Sequence, residues 1–114
     1  MKKETFLRMI EIYKQTYKRC EEFNNDLENI LKKPFNDSDY KNDATVMFFW
    51  PLQAVTEAFM AMLMDMGESK EGAEWFIFEG IDFIDNDKNA EIEENGKSYI
   101  FKSYEDYYNY LMRG

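Results

Sequence analysis

Carboxylates are the groups in this sequence whose number and spacing could do chemistry. Residues 65–94 contain eleven of them, Asp65, Glu68, Glu71, Glu74, Glu79, Asp82, Asp85, Asp87, Glu91, Glu93 and Glu94, against two bases, Lys70 and Lys88. That one stretch carries −9, as much as the formal net charge of the whole 114-residue chain. A field of this sign repels phosphate and attracts basic surfaces, so direct nucleic-acid binding is disfavoured and a basic protein partner is expected. All eleven acids are therefore candidate partner-binding residues. Their competing role is solubility, which an excess of charge also confers.

Catalytic chemistry finds little else to use. The chain has no histidine, the commonest general base and transition-metal ligand. Its five glycines are scattered singly, so no phosphate-cradling loop is present. Cys20 falls on an apolar helical seam, where a thiol acts as a small inert core residue. Glu57 sits inside an apolar run; buried, it would be a carboxyl of raised pKa, and exposed, an ordinary surface acid. From Asp85 to Glu93 the sequence partly matches an EF-hand calcium loop, with oxygen ligands at the first, third and fifth places and Ile92 at the eighth. Ala90 stands where that loop needs glycine, however, and Gly96 where it needs a bidentate Glu. Asp37-Ser38-Asp39 is a weaker match still. No catalytic residue, metal site or cofactor is assigned, and a non-enzymatic protein is expected.

Positioning these groups requires elements. Val46 to Met66 is apolar apart from Gln53, Thr56, Glu57 and Asp65, and a helix apolar around most of its circumference must be covered. It is expected to form the buried axis of the fold, with Pro51 inside it as a kink, Asp43 or Thr45 as its cap and Gly67 as its stop. Before it, Phe6, Ile10, Tyr13, Tyr17, Cys20, Asn24, Leu27 and Leu31 recur at spacings of four and three, with Met9, Phe23 and Ile30 at sevenfold intervals. That pattern predicts a helix from about Lys3 to Lys32 or Lys33, ended by Pro34. At roughly 45 Å it would either pack along the central helix, with Asn24 a polar residue at the edge of a wide intramolecular face, or pair through its seam as a homodimer, with Asn24 setting register; the first reading of Asn24 is preferred. A polar connection from Pro34 to Thr45 separates the two helices.

After a charged linker, Glu68 to Gly72, a short third helix is expected over Ala73 to Phe83, then an acidic loop, Ile84 to Asn89. Ala90 to Glu94 and Lys97 to Lys102, joined by Asn95-Gly96, predict a β-hairpin near 90–102, with Glu94 opposite Lys97 and Ile92 opposite Tyr99. Ser103 with Asp106 marks the start of a short C-terminal helix to Met112, packing through Tyr104, Tyr107, Tyr108, Leu111 and Met112. The fold class is α+β in a single domain over residues 1–114. With 18% aromatics and eight Met, core volume is not limiting. A lone cysteine makes no internal disulfide, and the uncharged runs Val46 to Thr56 and Ala58 to Met64 fall short of the ~20 residues of a membrane span. The cytoplasm of a bacterial host is the expected location.

The order of apolar helix, acidic break, Glu74-Trp75-Phe76-Ile77-Phe78-Glu79, Ile81-Asp82-Phe83, Asn-Gly hairpin and Ser103-Tyr104-Glu105-Asp106-Tyr107-Tyr108 resembles small acidic proteins of bacteriophages and mobile elements of Gram-positive bacteria. The resemblance runs over residues 46–111 and departs at the loop Ile84 to Asn89. It implies a genomic setting, and through it one class of function: an anti-CRISPR-like inhibitor, a DNA mimic occupying the basic groove of a host defence nuclease. The alternative from the residues themselves is a helical homo-oligomeric assembly protein pairing through the first helix. A carboxylate-only enzyme using a divalent ion is the third reading.

Overall fold

The computed structural model describes residues 2–32 and 43–113. Their elements are α1 (Lys3–Leu31), α2 (Asp43–Asp65), α3 (Lys70–Trp75), a π-helical turn (Phe76–Gly80), α4 (Ile81–Asp85), β1 (Ala90–Glu94), β2 (Lys97–Phe101) and α5 (Tyr104–Leu111). This is the α+β arrangement with a helical majority that the pattern predicts. The connection at 34–42 with its Asp37-Ser38-Asp39 group, and a side-chain cap from Asp43 or Thr45, lie outside the described residues. The chain divides into two compact units, Met1–Arg8 with Phe59–Gly114, and Met9–Ala58.

In the unit Met9–Ala58, α1 ends at Leu31, where Lys32 turns into the left-handed region at φ 60°. Ile10, Tyr13 and Cys20 are buried, and the Tyr13 and Tyr17 rings lie 6.3 Å apart. The predicted seam is thus occupied only in part, since Tyr17 is 47% exposed; of the residues flanking it, Phe23 and Ile30 are 50% and 73% exposed. Tyr17 can leave the line because its hydroxyl end is content in water. Half-buried Asn24 bonds along its own helix, donating to Glu28 at 3.4 Å. α2 begins at Asp43 and carries Pro51 within it, so the Met47 carbonyl loses its usual helical donor.

The expected buried axis needs correction. From Pro51 to Met66, only Phe59, Met62 and Leu63 are buried, while Ala54, Glu57, Ala58, Ala61 and Met64 are exposed. Alanines on the far side add so little apolar area that α2 buries a stripe and leaves the opposite face in water. Its end behaves as Gly67 predicts. Gly67 takes φ 102°, its N–H reaches the Met64 carbonyl and the Glu68 N–H reaches Leu63, both at 3.0 Å, a complete Schellman closure.

In the unit Met1–Arg8 with Phe59–Gly114, residues 70–85 form one uninterrupted helical run. Ser69 caps it by accepting from the Gly72 N–H, so the supposed linker is helical from Lys70 onward. Trp75, Phe76, Gly80 and Ile81 all keep right-handed dihedrals through the junctions, and the Ile81 N–H bonds to the Phe76 carbonyl across a π turn. The run continues to Asp85, so the expected acidic loop shrinks to 86–89. At Gly80 a Cβ would stand 3.1 Å from both the Phe76 and Trp75 rings, so the turn closes on bare backbone.

The hairpin pairs as its turn dictates, with Ala90 opposite Phe101, Ile92 opposite Tyr99 and Glu94 opposite Lys97. Asn95 at φ 53° and Gly96 at φ 80° supply the two positive φ values of a type I′ turn. Ser103 and Asp106 form a reciprocal capping box. Tyr107, fully buried, is the hub of the core. Its ring stacks on Phe76 at 3.9 Å and 4°, with Phe101 edge-on at 5.2 Å and Phe6 at 6.4 Å. Met112, expected to pack, is 47% exposed.

Candidate acidic interface

The eleven carboxylates fall on two kinds of backbone. Glu71, Glu74, Glu79, Asp82 and Asp85 ride on the helical run 70–85, whose opposite side buries Ala73, Phe76, Ile77, Ile81 and Ile84. The burial pattern is that of an amphipathic helix with acids on the wet side. Glu91 and Glu93 project from the outer face of β1, because strand alternation assigns Ala90, Ile92 and Glu94 to the packed face. Asp65 closes α2, Glu68 follows the Schellman turn, and Asp87 sits in the turn before β1 at φ 53°. Asp65, Glu71, Glu79, Asp82, Asp85, Asp87, Glu91 and Glu93 are exposed; Glu68, Glu74 and Glu94 are half-buried. Phe78, 60% exposed, sits among the helical acids.

Three of these carboxylates accept from tyrosines of α5. The Tyr107 hydroxyl donates to Glu68 at 2.6 Å, Tyr104 donates to Asp85, and Tyr110 to Glu94. Glu68 also accepts from the Ser69 N–H at 2.9 Å and lies over the bare Cα of Gly72, where a Cβ would meet its Oε1 at 2.2 Å. Arg113 completes the Glu94 site with an ion pair at 2.8 Å while its guanidinium covers the Tyr110 ring at 3.9 Å from the centroid. Burial first, then the Glu68 contact, drives the Tyr107 phenol far above its ordinary value. Burial and the Glu94 hydrogen bond push Tyr110 up to about 12. Both phenols stay protonated and keep donating. The sequence signal for this network is the three-residue spacing of Tyr104, Tyr107 and Tyr110, which steps about 60° around the helix each time, with Arg113 just beyond the end of α5. Tyr110 and Arg113 were not among the packing residues expected of this helix.

No protein-family model, curated protein or solved structure matches this chain. The site is therefore read from its own geometry.

The remaining candidates resolve locally. Glu57 is exposed and accepts from Gln53 at 3.4 Å, which is the surface alternative. The Cys20 thiol is buried, and that burial raises its pKa against the opposing pull of a backbone hydrogen bond with Leu52. A thiol so placed is little ionised and a weak nucleophile. Asp85 to Glu93 spans a helix end, a turn and a strand, with Ile92 and Glu93 already in β1. Asn86 caps the helix end instead, donating to the Asp82 carboxylate and carbonyl at 2.8 Å each. Among the described residues, no three His, Cys, Asp or Glu side chains group to hold a metal, and no helix is long and apolar enough to cross a membrane.

Proposed function

We propose that this chain is a non-enzymatic interaction protein whose acidic stretch, residues 65–94, occupies a basic surface of a partner, in the manner of a DNA mimic directed at a nucleic-acid-binding nuclease. The observation that carries the reading is the exposure of eight of the eleven carboxylates, seven of them on helix or strand and Asp87 in the turn before β1. Charges fixed on helix and strand present a set field at little ordering cost, as an imitation of a phosphate backbone requires. Glu68 and Glu94 have a different part, holding α5 through their tyrosines. They support the surface and do not form it.

Co-purification of the tagged chain from its host identifies the partner, and a salt titration of that complex tests the mechanism. Affinity should fall steeply with ionic strength, and excess duplex DNA should compete. Replacing Glu71, Glu79 and Asp82 together with Lys should weaken the complex by about tenfold or more, while Glu57→Lys should leave it near wild type. A salt-independent affinity would sink the proposal.

A second reading, self-association through α1, draws support from the exposure of Phe23 and Ile30 one heptad apart. Sedimentation as a monomer at high concentration removes it.

A further inference from the structure

The sheet has two strands among the described residues, so β2 has an edge that no strand covers. In an antiparallel ladder, pairs that exchange backbone hydrogen bonds alternate with pairs that do not. A two-residue type I′ loop makes Glu94 and Lys97 the first exchanging pair, and Ile92 with Tyr99 and Ala90 with Phe101 follow. Ser98 and Ile100 therefore turn their N–H and C=O groups away from β1, along the open edge.

A groove of about 430 Å³ follows that edge. Tyr99, Ile100, Phe101 and Lys102 line it in succession, with Tyr110 and Arg113 opposite. Residues from both faces of a strand can touch one groove only along the strand's edge. Its walls are aromatic and its cations are Lys102 and Arg113. The other charged group lining it, Asp106, is turned into the helix cap, where its Oδ2 accepts from the backbone amides of Lys102 at 2.8 Å and Ser103 at 3.1 Å. Arg113 is held along the wall by Glu94 and by the Tyr110 ring. Ile100, in that lining, is 55% exposed on the outer face of the strand.

We infer that the β2 edge binds an extended acidic peptide segment of a partner protein, which adds as a third strand. The open row of backbone donors and acceptors selects an extended chain. Lys102 favours an acidic side chain, with Arg113, whose charge is shared with Glu94, beside it, and Ile100 offers an apolar contact to residues on the outer face. The charged side chains lining the groove, Lys102, Arg113 and Asp106, leave an excess of one positive charge within a chain of net charge −9, and the proposal does not rest on the acidic-surface reading.

The test uses the full chain and a capped, alternating Val-Glu hexapeptide, read by NMR hydrogen exchange and fluorescence anisotropy. The peptide should slow exchange at the Ser98 and Ile100 amides. Its N-methylated form, which cannot pair at the edge, should bind about tenfold more weakly or not at all. Ile100→Pro, which removes only an outward N–H, should weaken the parent peptide to a similar degree. So should Lys102→Glu with Arg113→Glu. Unchanged exchange at both amides under saturating peptide, or equal binding of the N-methylated form, overturns the assignment. That last comparison uses the wild-type chain and stands even if a variant fails to fold.

Discussion

Tyr110 donates to a carboxylate from a half-buried position, and the consequence is a stability that depends on alkaline pH. Its phenol rises from the ordinary 10 to about 12, by burial first and the Glu94 hydrogen bond second. A folded pKa above the unfolded one means that the contribution is fully present below pH 10 and is lost as pH rises from 10 to about 12. An ultraviolet titration should therefore show a late phenol that vanishes in Tyr110→Phe, with cooperative unfolding at a lower pH than neutral stability alone would set. A variant that instead loses a phenol titrating near the ordinary 10, with the late phase unchanged, would refute the assignment. At this scale, the acids were legible because composition needs no fold. Their tyrosine donors were not, because Tyr107 meets Glu68 across 39 residues and Tyr104 meets Asp85 across 19. The three-residue spacing of those tyrosines names a face, and only packing says what the face touches.

Elements written in local backbone chemistry were read directly. Asn95-Gly96 fixes the hairpin register through two positive φ values, and Ser103 with Asp106 fixes the start of α5 through two reciprocal hydrogen bonds. The π turn at Phe76–Gly80 escaped because one shifted hydrogen-bond frame leaves no periodicity to detect in so short a run. The wet face of α2 escaped for a related reason, since alanine counts as apolar in a pattern yet is indifferent to burial. Gly80 is the residue on which the π turn can be tested. Alanine gains up to ~1 kcal/mol in helix propensity, but its methyl would press on the Phe76 and Trp75 rings, and overpacking costs ~1–3 kcal/mol. Phe76 is stacked on Tyr107 and has little room to move away. Gly80→Ala should therefore lower stability by about 1 kcal/mol in a denaturant titration; a stabilised variant would show that the turn relaxes freely.

On the scale of the molecule, the unit that bears the acids draws on the first turns of α1, since Phe6 is fully buried against Phe76, Tyr107 and Tyr108. Phe6→Ala should cost ~3–5 kcal/mol, with loss of the near-ultraviolet aromatic signal, although it lies far in sequence from every acid of the stretch. A smaller loss would mean that the ring cluster closes without it. The same contact sets an order of events during synthesis. Phe6 is made about a hundred residues before Tyr107, and at ~5–20 residues per second that gap lasts roughly five to twenty seconds. Through that interval the ring has no Tyr107 to stack near, and closing so long a loop is entropically unfavourable until the final helix arrives. Between those two steps of synthesis the sticky ring of Phe6 lacks the partner that closes its cluster, and the burial of one residue waits on another about a hundred positions later.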